Sequence, residues 1–225
     1  MKDIGKVIIH IPARGGSKRV PRKNLRQMNG KPMVSYAIES AIKADVTNDI
    51  YVNTDCNDIA HYVLGEYPIN VYMRSKNLAT DNATSDDFNL DIIEKLCPDT
   101  LVMINPVCPL ITHEDIRLAL HLYRDSDCDT LISSCKTNMQ CFCNGEAINI
   151  NVEEQLAPSQ ENNEVITLNW AISVWNAKKF KNRMRDRGYA VLGEHRVFYN
   201  ISSIKGVKVS NEEDFLFCEK LLQLN

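Results

Sequence analysis

The sequence predicts an α/β protein built on a mostly parallel sheet. Three observations lead there. Short apolar runs of strand length recur along the chain, at Val7 to Ile11, Ile50 to Asn53, Ile69 to Met73, Thr100 to Ile104 and Thr130 to Ser134. Segments with helical apolar spacing separate them, which is the pattern of right-handed βαβ crossovers. Polar and charged stretches follow the strands directly, where ligands of such sheets bind.

The first run, Val7 to Ile11, ends in Pro12 and Ala13 and opens into a loop with Gly15 and Gly16. From Arg14 to Arg26 the loop carries six basic residues, Arg14, Lys18, Arg19, Arg22, Lys23 and Arg26, and no acid. Glycines let backbone N–H groups approach a ligand, and the cations supply charge for a polyanion. Strand, glycine turn and cationic loop together read as a phosphate cradle. The loop lacks the Gly-Lys-Ser/Thr ending of a P-loop and the G-x-G-x-x-G spacing of a dinucleotide site.

Pro32 suits a helix start, and Met33, Tyr36, Ala37, Ala41 and Ile42 give that helix an apolar face. The strand at Ile50 runs into Thr54-Asp55, and Asp58 to Leu64 can form a helix. The run from Ile69 to Met73 delivers Arg74 at its end. Thr84 or Ser85 caps a helix to about Leu96. After the strand at Thr100 come Asn105-Pro106 and then Thr112 with Asp115 three residues on, which starts a helix to about Asp125. Polar groups after four strands thus converge on one sheet edge: Arg14 to Asn24, Asp55, Arg74 with Asp81, and Asn105.

From Thr137 to Ala177 there is no Lys, Arg or His. Short alternating pieces such as Ala147 to Val152 suggest antiparallel strands. At the C-terminal end, Gly206 to Val209 reads as a strand, and Ser210 with Glu213 reads as the capping box of a last helix.

Composition narrows the class. Hydrophobic residues at 44% over 225 residues suffice for one large domain, 1–225. A net charge of −3 argues against a nucleic-acid partner held by bulk charge. No apolar run approaches the roughly 20 residues that span a bilayer, so no membrane association is expected. Met1-Lys2-Asp3 leads straight to the first strand, so no signal peptide is read and the expectation is a cytoplasmic protein. Cys128, Cys135, Cys141 and Cys143 lack the C-x-x-C knuckle of zinc sites and read as buried or half-buried thiols.

The cradle also carries a specific resemblance. Ala13, Arg14, Ser17, Lys18, Pro21, Lys23 and Asn24 fall on the pattern A-R-x-x-S-K-x-x-P-x-K-N, which resembles the signature of the CMP-sialic acid synthetase (acylneuraminate cytidylyltransferase) family. Further stretches are similar to that family: Asn29 to Pro32, Val52 to Asp55, Leu78 to Ser85, Asn105 to Leu110, Leu168 to Ile172 and Asp214-Phe215. Trp170 stands where the family has glycine in L-N-G-A-I.

The resemblance implies a Rossmann-like fold of the nucleotide-diphospho-sugar transferase type. An antiparallel insertion at about 137–167 would serve as the dimerisation lobe of a homodimer. It implies transfer of CMP from CTP to a sialic-acid-like 2-keto sugar acid, releasing pyrophosphate, for surface glycans such as lipopolysaccharide or capsule. Arg14, Lys18 and Lys23 are the expected catalytic cations. Gly15, Gly16, Ser17, Asn24, Arg74, Asp81 and Asn82 join them around the nucleotide, and Asn105 and Asn169 face the sugar acid.

Three further departures from the family bear on the chemistry. The Asp-x-Asp pair that holds Mg²⁺ is replaced by Lys208 and Ser210, and a hard cation wants carboxylate oxygens. Asp81, Asp86 or Asp214 are the substitutes the sequence offers. Ile111 replaces an arginine, and the insertion has no cation to bring toward a sugar acid. Three readings follow: an active cytidylyltransferase, a nucleotide-binding protein that has lost turnover on the same scaffold, or a nucleotidyltransferase for a different sugar.

Overall fold

A computed structural model describes residues 1–224. The chain begins with β1 (Val7–Pro12), passes the cationic loop and a small hairpin of β2 (Gln27–Met28) and β3 (Lys31–Pro32), and enters α1 (Met33–Ala44). It continues through β4 (Ile50–Thr54), α2 (Asn57–Glu66), β5 (Asn70–Met73), α3 (Ser85–Leu96), β6 (Thr100–Ile104) and α4 (His113–Asp125). Then come β7 (Thr130–Thr137), a hairpin of β8 (Phe142–Cys143) and β9 (Glu146–Ala147), and the long β10 (Val165–Asn176). The last elements are α5 (Ala177–Arg187), β11 (Arg196–Asn200) and α6 (Glu212–Gln223).

Seven strands form the central sheet in the order β11-β7-β10-β6-β1-β4-β5. All neighbours are parallel except β10, which runs antiparallel to β6 and β7. The expected mostly parallel sheet is therefore present, with one reversed strand where the chain returns from the 138–164 excursion.

The apolar runs are continuous because both faces of the sheet are covered. Ile9, Ile11, Val52, Val102 and Ile104 face one core, shared with Val34 and Ile38 of α1 and Ile116 of α4. Ile8, Leu101, Met103 and Trp175 face the other, shared with Ile92 of α3 and Phe180 of α5. A third cluster, Val20, Met28, Met33, Leu110, Val209 and Phe215, docks α6 beneath the cationic loop.

Both predicted mid-chain caps are capping boxes, Thr84 with Asp87 and Thr112 with Asp115. Four local expectations are corrected. Gly206 to Val209 is not a strand: Gly206 N–H donates to Ser202 O and Val207 N–H to Ile204 O, which curls the segment. The last capping box lies one residue on. Asn211 Oδ1 accepts from Asp214 N–H, and Asp214 Oδ2 accepts from Asn211 N–H. An Asn–Asp pair does this as well as the Ser–Glu pair first read. The alternating piece after Ala147 forms no strand. The hairpin is confined to β8 and β9, turned by Asn144 and Gly145 at φ 51° and 87°. Beyond it Asn149 braces the loop, accepting from Cys141 N–H and donating to Met139 O and Asn163 O. All eight cysteines are free thiols, and Cys143 is exposed rather than buried.

Candidate functional site

The β1 turn is locked to the neighbouring strand. Ala13 N–H donates to Asn53 O, and Gly15 N–H donates to Asp55 Oδ1 at 2.9 Å. Gly15 is required for close approach, since a Cβ there would meet the Cβ of Cys56 at 2.8 Å. Its N–H is thus committed to Asp55 rather than aimed outward, while Gly16 has open space around it. Asn24 is buried and clasps the loop, its Nδ2 donating to Arg14 O at 2.9 Å.

The six loop cations divide. Arg22 pairs with Asp58, and Arg26 forms a double hydrogen bond with Glu212 while lying over the Phe215 ring. Arg14, Lys18, Arg19 and Lys23 instead line a cleft of about 620 Å³ at the C-terminal edge of the sheet. Ser17, Asn24, Arg74, Asp81, Asn105 and Lys208 line it too.

Arg74 follows β5 directly, is 6% exposed, and sits 5.3 Å from the centroid of the Phe88 ring. Behind it lies fully buried His10, whose imidazole is pushed down to about 3 by burial, then by the Arg74 charge, against a raising contact from Asn89. Burial also lowers the Arg74 guanidinium below its ordinary value. On the open side, Asp81 accepts Lys18 Nζ at 2.5 Å and Arg14 Nη1 at 3.1 Å. These hydrogen bonds, Lys18 first, hold its carboxyl below the usual range. Lys23 is pushed down to about 8, first by burial and then by Arg19, Lys208 and Arg14.

Four expected site residues lie off the cleft wall: Gly15 and Gly16 in the turn behind it, and Asn82 and Asn169. Asn82 is exposed on the turn before α3. Asn169 turns into the sheet, its Oδ1 accepting from Ser133 Oγ and Ala171 N–H and its Nδ2 facing Cys135 Sγ. The next residue, Trp170, takes the wall instead.

The substitute metal ligands are engaged elsewhere. Asp86 Oδ1 accepts from Ala190 and Val191 N–H, and Asp214 Oδ2 from Ser210 and Asn211 N–H. Among the described residues no group of three or more His, Cys, Asp or Glu is gathered as a metal site.

Sequence reasoning missed the apolar wall of Phe88, Met103 and Trp170. Phe88 and Met103 read as ordinary core positions of a helix and a strand. Trp170 had one signal, its place at a position the resembled family gives to glycine.

Residues 7–213 match the cytidylyltransferase family model. The chain is 26% identical to the CMP-N,N'-diacetyllegionaminic acid synthase of Legionella pneumophila, over 98% of this chain and 97% of that protein. It is 27% identical to the pseudaminic acid cytidylyltransferase of Campylobacter jejuni, over 92% of this chain and 81% of that one. A 35% match to the N-acylneuraminate cytidylyltransferase of Streptococcus agalactiae covers 57% of this chain and 32% of that longer protein. Among solved structures, a CMP:2-keto-3-deoxy-manno-octonic acid synthetase complexed with CTP superposes with a TM-score of 0.73 at 16% identity, covering 97% of this chain and 99% of that one. The 4-diphosphocytidyl-2C-methyl-D-erythritol synthase of Anaerococcus prevotii gives 0.70 at 12% identity, over 98% of this chain and 97% of that one. These two share the fold. The match across nearly the whole sheet and the loop after β1 makes this chain a nucleotidyltransferase and a member of the cytidylyltransferase family.

Proposed function

We propose that the chain transfers CMP from CTP to a sialic-acid-like 2-keto sugar acid, releasing pyrophosphate, in the synthesis of a surface glycan. The observation that carries this reading is the convergence of Arg14, Lys18, Arg19, Lys23, Arg74 and Lys208 on one cleft at the sheet edge.

In the reaction, the sugar's 2-hydroxyl oxygen bonds to the α-phosphorus of CTP. The bond from that phosphorus to the β-bridging oxygen breaks, and pyrophosphate leaves with the electron pair. The hydroxyl proton passes to water or to the departing pyrophosphate. Such a transfer needs positioning and neutralisation of developing charge more than covalent help. Arg14, Lys18 and Lys23 carry out the neutralisation, each worth on the order of 3 kcal/mol at the transition state. Ser17 and the Gly16 backbone complete the phosphate contacts, with Gly15 holding the turn against Asp55. Asn24 and Arg74 face the nucleoside, Asn82 borders its open side, and Asp81 pairs with Lys18 and Arg14 until the triphosphate takes them over. Asn105 meets the sugar acid, and Asn169 acts at one remove by bracing the strand beside it.

The donor set does not fit a divalent ion held by protein carboxylates. Asp81, the carboxylate that lines the cleft, is committed to two cations. Asp86 and Asp214 each hold two backbone N–H groups, and Lys208 brings positive charge to the same wall. No step is therefore routed through a protein-held metal, and Lys208 supplies part of the charge as a point cation.

A homodimer is supported by Met139, Phe142, Ile148, Val152 and Leu156, which expose large apolar side chains on the 137–167 lobe. We place the domain at 1–225 and the protein in the cytoplasm. Among the described residues no helix is long and apolar enough to cross a membrane.

Pyrophosphate release with CTP, Mg²⁺ and a panel of 2-keto sugar acids tests the activity, and light scattering tests the dimer. Turnover on at least one acid is expected. CTP binding with silence on every acid would overturn turnover. It would favour the second reading, binding without catalysis, which the Lys208 and Ser210 replacements motivate.

A further inference from the structure

Trp170 adopts φ 59°, in the left-handed region that bulky side chains rarely occupy. It lies inside β10 at a break in register, where pairing jumps from Leu168 opposite Ser134 to Ser173 opposite Ile132. Hydrogen bonds to the next two residues hold this unfavourable backbone. Asn169 Oδ1 accepts from Ala171 N–H at 3.1 Å, Ile172 N–H donates to Ser133 Oγ at 2.9 Å, and Asn105 N–H donates to Ala171 O at 2.9 Å. Glycine would fit this backbone without strain. Strain retained under such bracing concentrates at ligand-contacting positions.

The indole emerges on the cleft wall beside Met103 and Asn105. The order of strands along the edge decides which ligand it meets. β5 presents Arg74 at one end, β1 presents the phosphate-directed cations in the middle, and β6 and β10 present Asn105 and Trp170 at the other. With the phosphates at the centre and the nucleoside toward Arg74, Trp170 lies on the acceptor's side.

We propose that Trp170 is a specificity-determining residue for the acceptor: its indole is a platform for the apolar C–H face of a sugar acid's ring. This rests on the cytidylyltransferase reading. The acceptor class follows from the surroundings. Asn105 supplies a neutral polar partner and Trp170 a flat apolar face, which together suit a deoxy or acylated sugar with a hydrophobic face. The indole also narrows the cleft relative to glycine, excluding acceptors that are bulky there.

The test compares Trp170→Gly and Trp170→Phe with the native chain. Glycine suits φ 59°, so Tm is expected to hold or rise. KM for the sugar acid is expected to rise roughly tenfold with kcat and the CTP KM unchanged, the mark of lost uniform binding. Trp170→Phe is expected to recover part of the affinity. Fluorescence supplies a readout independent of turnover. The chain has two tryptophans, and the other, Trp175, is 1% exposed, so sugar-acid quenching reports Trp170 and vanishes in Trp170→Gly.

A large fall in Tm for Trp170→Gly, or unchanged sugar kinetics and quenching, would overturn the proposal and make Trp170 a packing residue. Failure of the underlying reading shows separately, as no thermal shift with CTP and no pyrophosphate from the native chain. The quenching titration with free sugar acids then still decides for or against the platform.

Discussion

Lys23 Nζ donates to the Val209 carbonyl at 2.8 Å, joining the cationic loop to a segment 186 residues further along the chain. Val209 in turn donates its N–H to Val107 O at 2.8 Å. The loop after β1, the turn after β6 and the approach to α6 are thereby one unit, and Lys208 stands on the cleft wall because its neighbour is tied there.

The same tie sets a pH dependence. Lys23 titrates at about 8 in the folded chain, because burial and then Arg19, Lys208 and Arg14 disfavour its charge. Between that value and the ordinary lysine range the unfolded chain binds more protons than the folded one. Stability therefore rises with pH across that window as the penalty on the charged amine is released. A triphosphate favours the charged amine, so CTP binding near pH 8 to 9 takes up a proton, and affinity falls as pH climbs further. Calorimetry in two buffers of different ionisation enthalpy should show the uptake, and Lys23→Met should abolish it. Buffer-independent heats from the native chain would refute this.

On the proposed reading, Lys208 supplies cleft charge in place of a metal. Removing one charge-assisted contact to phosphate costs about 1.5–3 kcal/mol, so Lys208→Ala should weaken CTP binding about tenfold or more. Native binding should persist in EDTA, and Lys208→Asp should make binding depend on Mg²⁺. Calorimetry with and without the metal reads both. Native binding that collapses in EDTA would show that a cation, not Lys208, provides the charge.

What the sequence disclosed follows from physical range. β1 is readable because Ile8 and Ile9 enter opposite cores, which forces a continuous apolar run. The caps at Thr84 and Thr112 are readable because their partners lie three residues away. α5 is not, since it buries only Ala177 and Phe180 and is otherwise dominated by basic residues, leaving a weak period. β11 is a half-buried edge strand of five residues with the same difficulty. Within the cradle, sequence could not separate Arg22 and Arg26 from the cations that line the cleft. Their partners, Asp58 and Glu212, are 36 and 186 residues distant. Trp170 was legible as a departure but not as a left-handed residue, because local preference at that conformation favours glycine.

On the proposed reading, Asp81 competes with the phosphates for Lys18 and Arg14. Both ion pairs lie in solvent, with Lys18 82% and Asp81 52% exposed, so they add little to stability. They do occupy the cations that an incoming polyanion needs. Asp81→Asn should leave Tm nearly unchanged and tighten CTP binding severalfold at low salt, with the gain shrinking as salt screens it. Titrations at two ionic strengths read this directly. Weaker binding would instead assign Asp81 to holding the nucleotide.

Asp115 links the first turn of α4 to the loop that carries Lys208. It is 5% exposed, and its oxygens accept from Lys205 Nζ at 2.8 and 2.9 Å. Oδ2 also accepts from the Thr112 N–H and hydroxyl. Burial, and then this charge, push the nearby Tyr199 hydroxyl up to about 12. Lys205→Met would strand a buried carboxylate. Removing one partner of a fully buried pair is strongly destabilising, but the Lys205 side chain is 35% exposed, so water softens the loss to about 2 kcal/mol. For a chain of this size that corresponds to a fall in Tm of about 5 °C. Asp115→Asn with Lys205→Met should cost less than the sum of the single changes, because no unpaired carboxylate remains. Urea unfolding of the four proteins measures the coupling, and additive losses would show that the pair acts through the Thr112 cap alone.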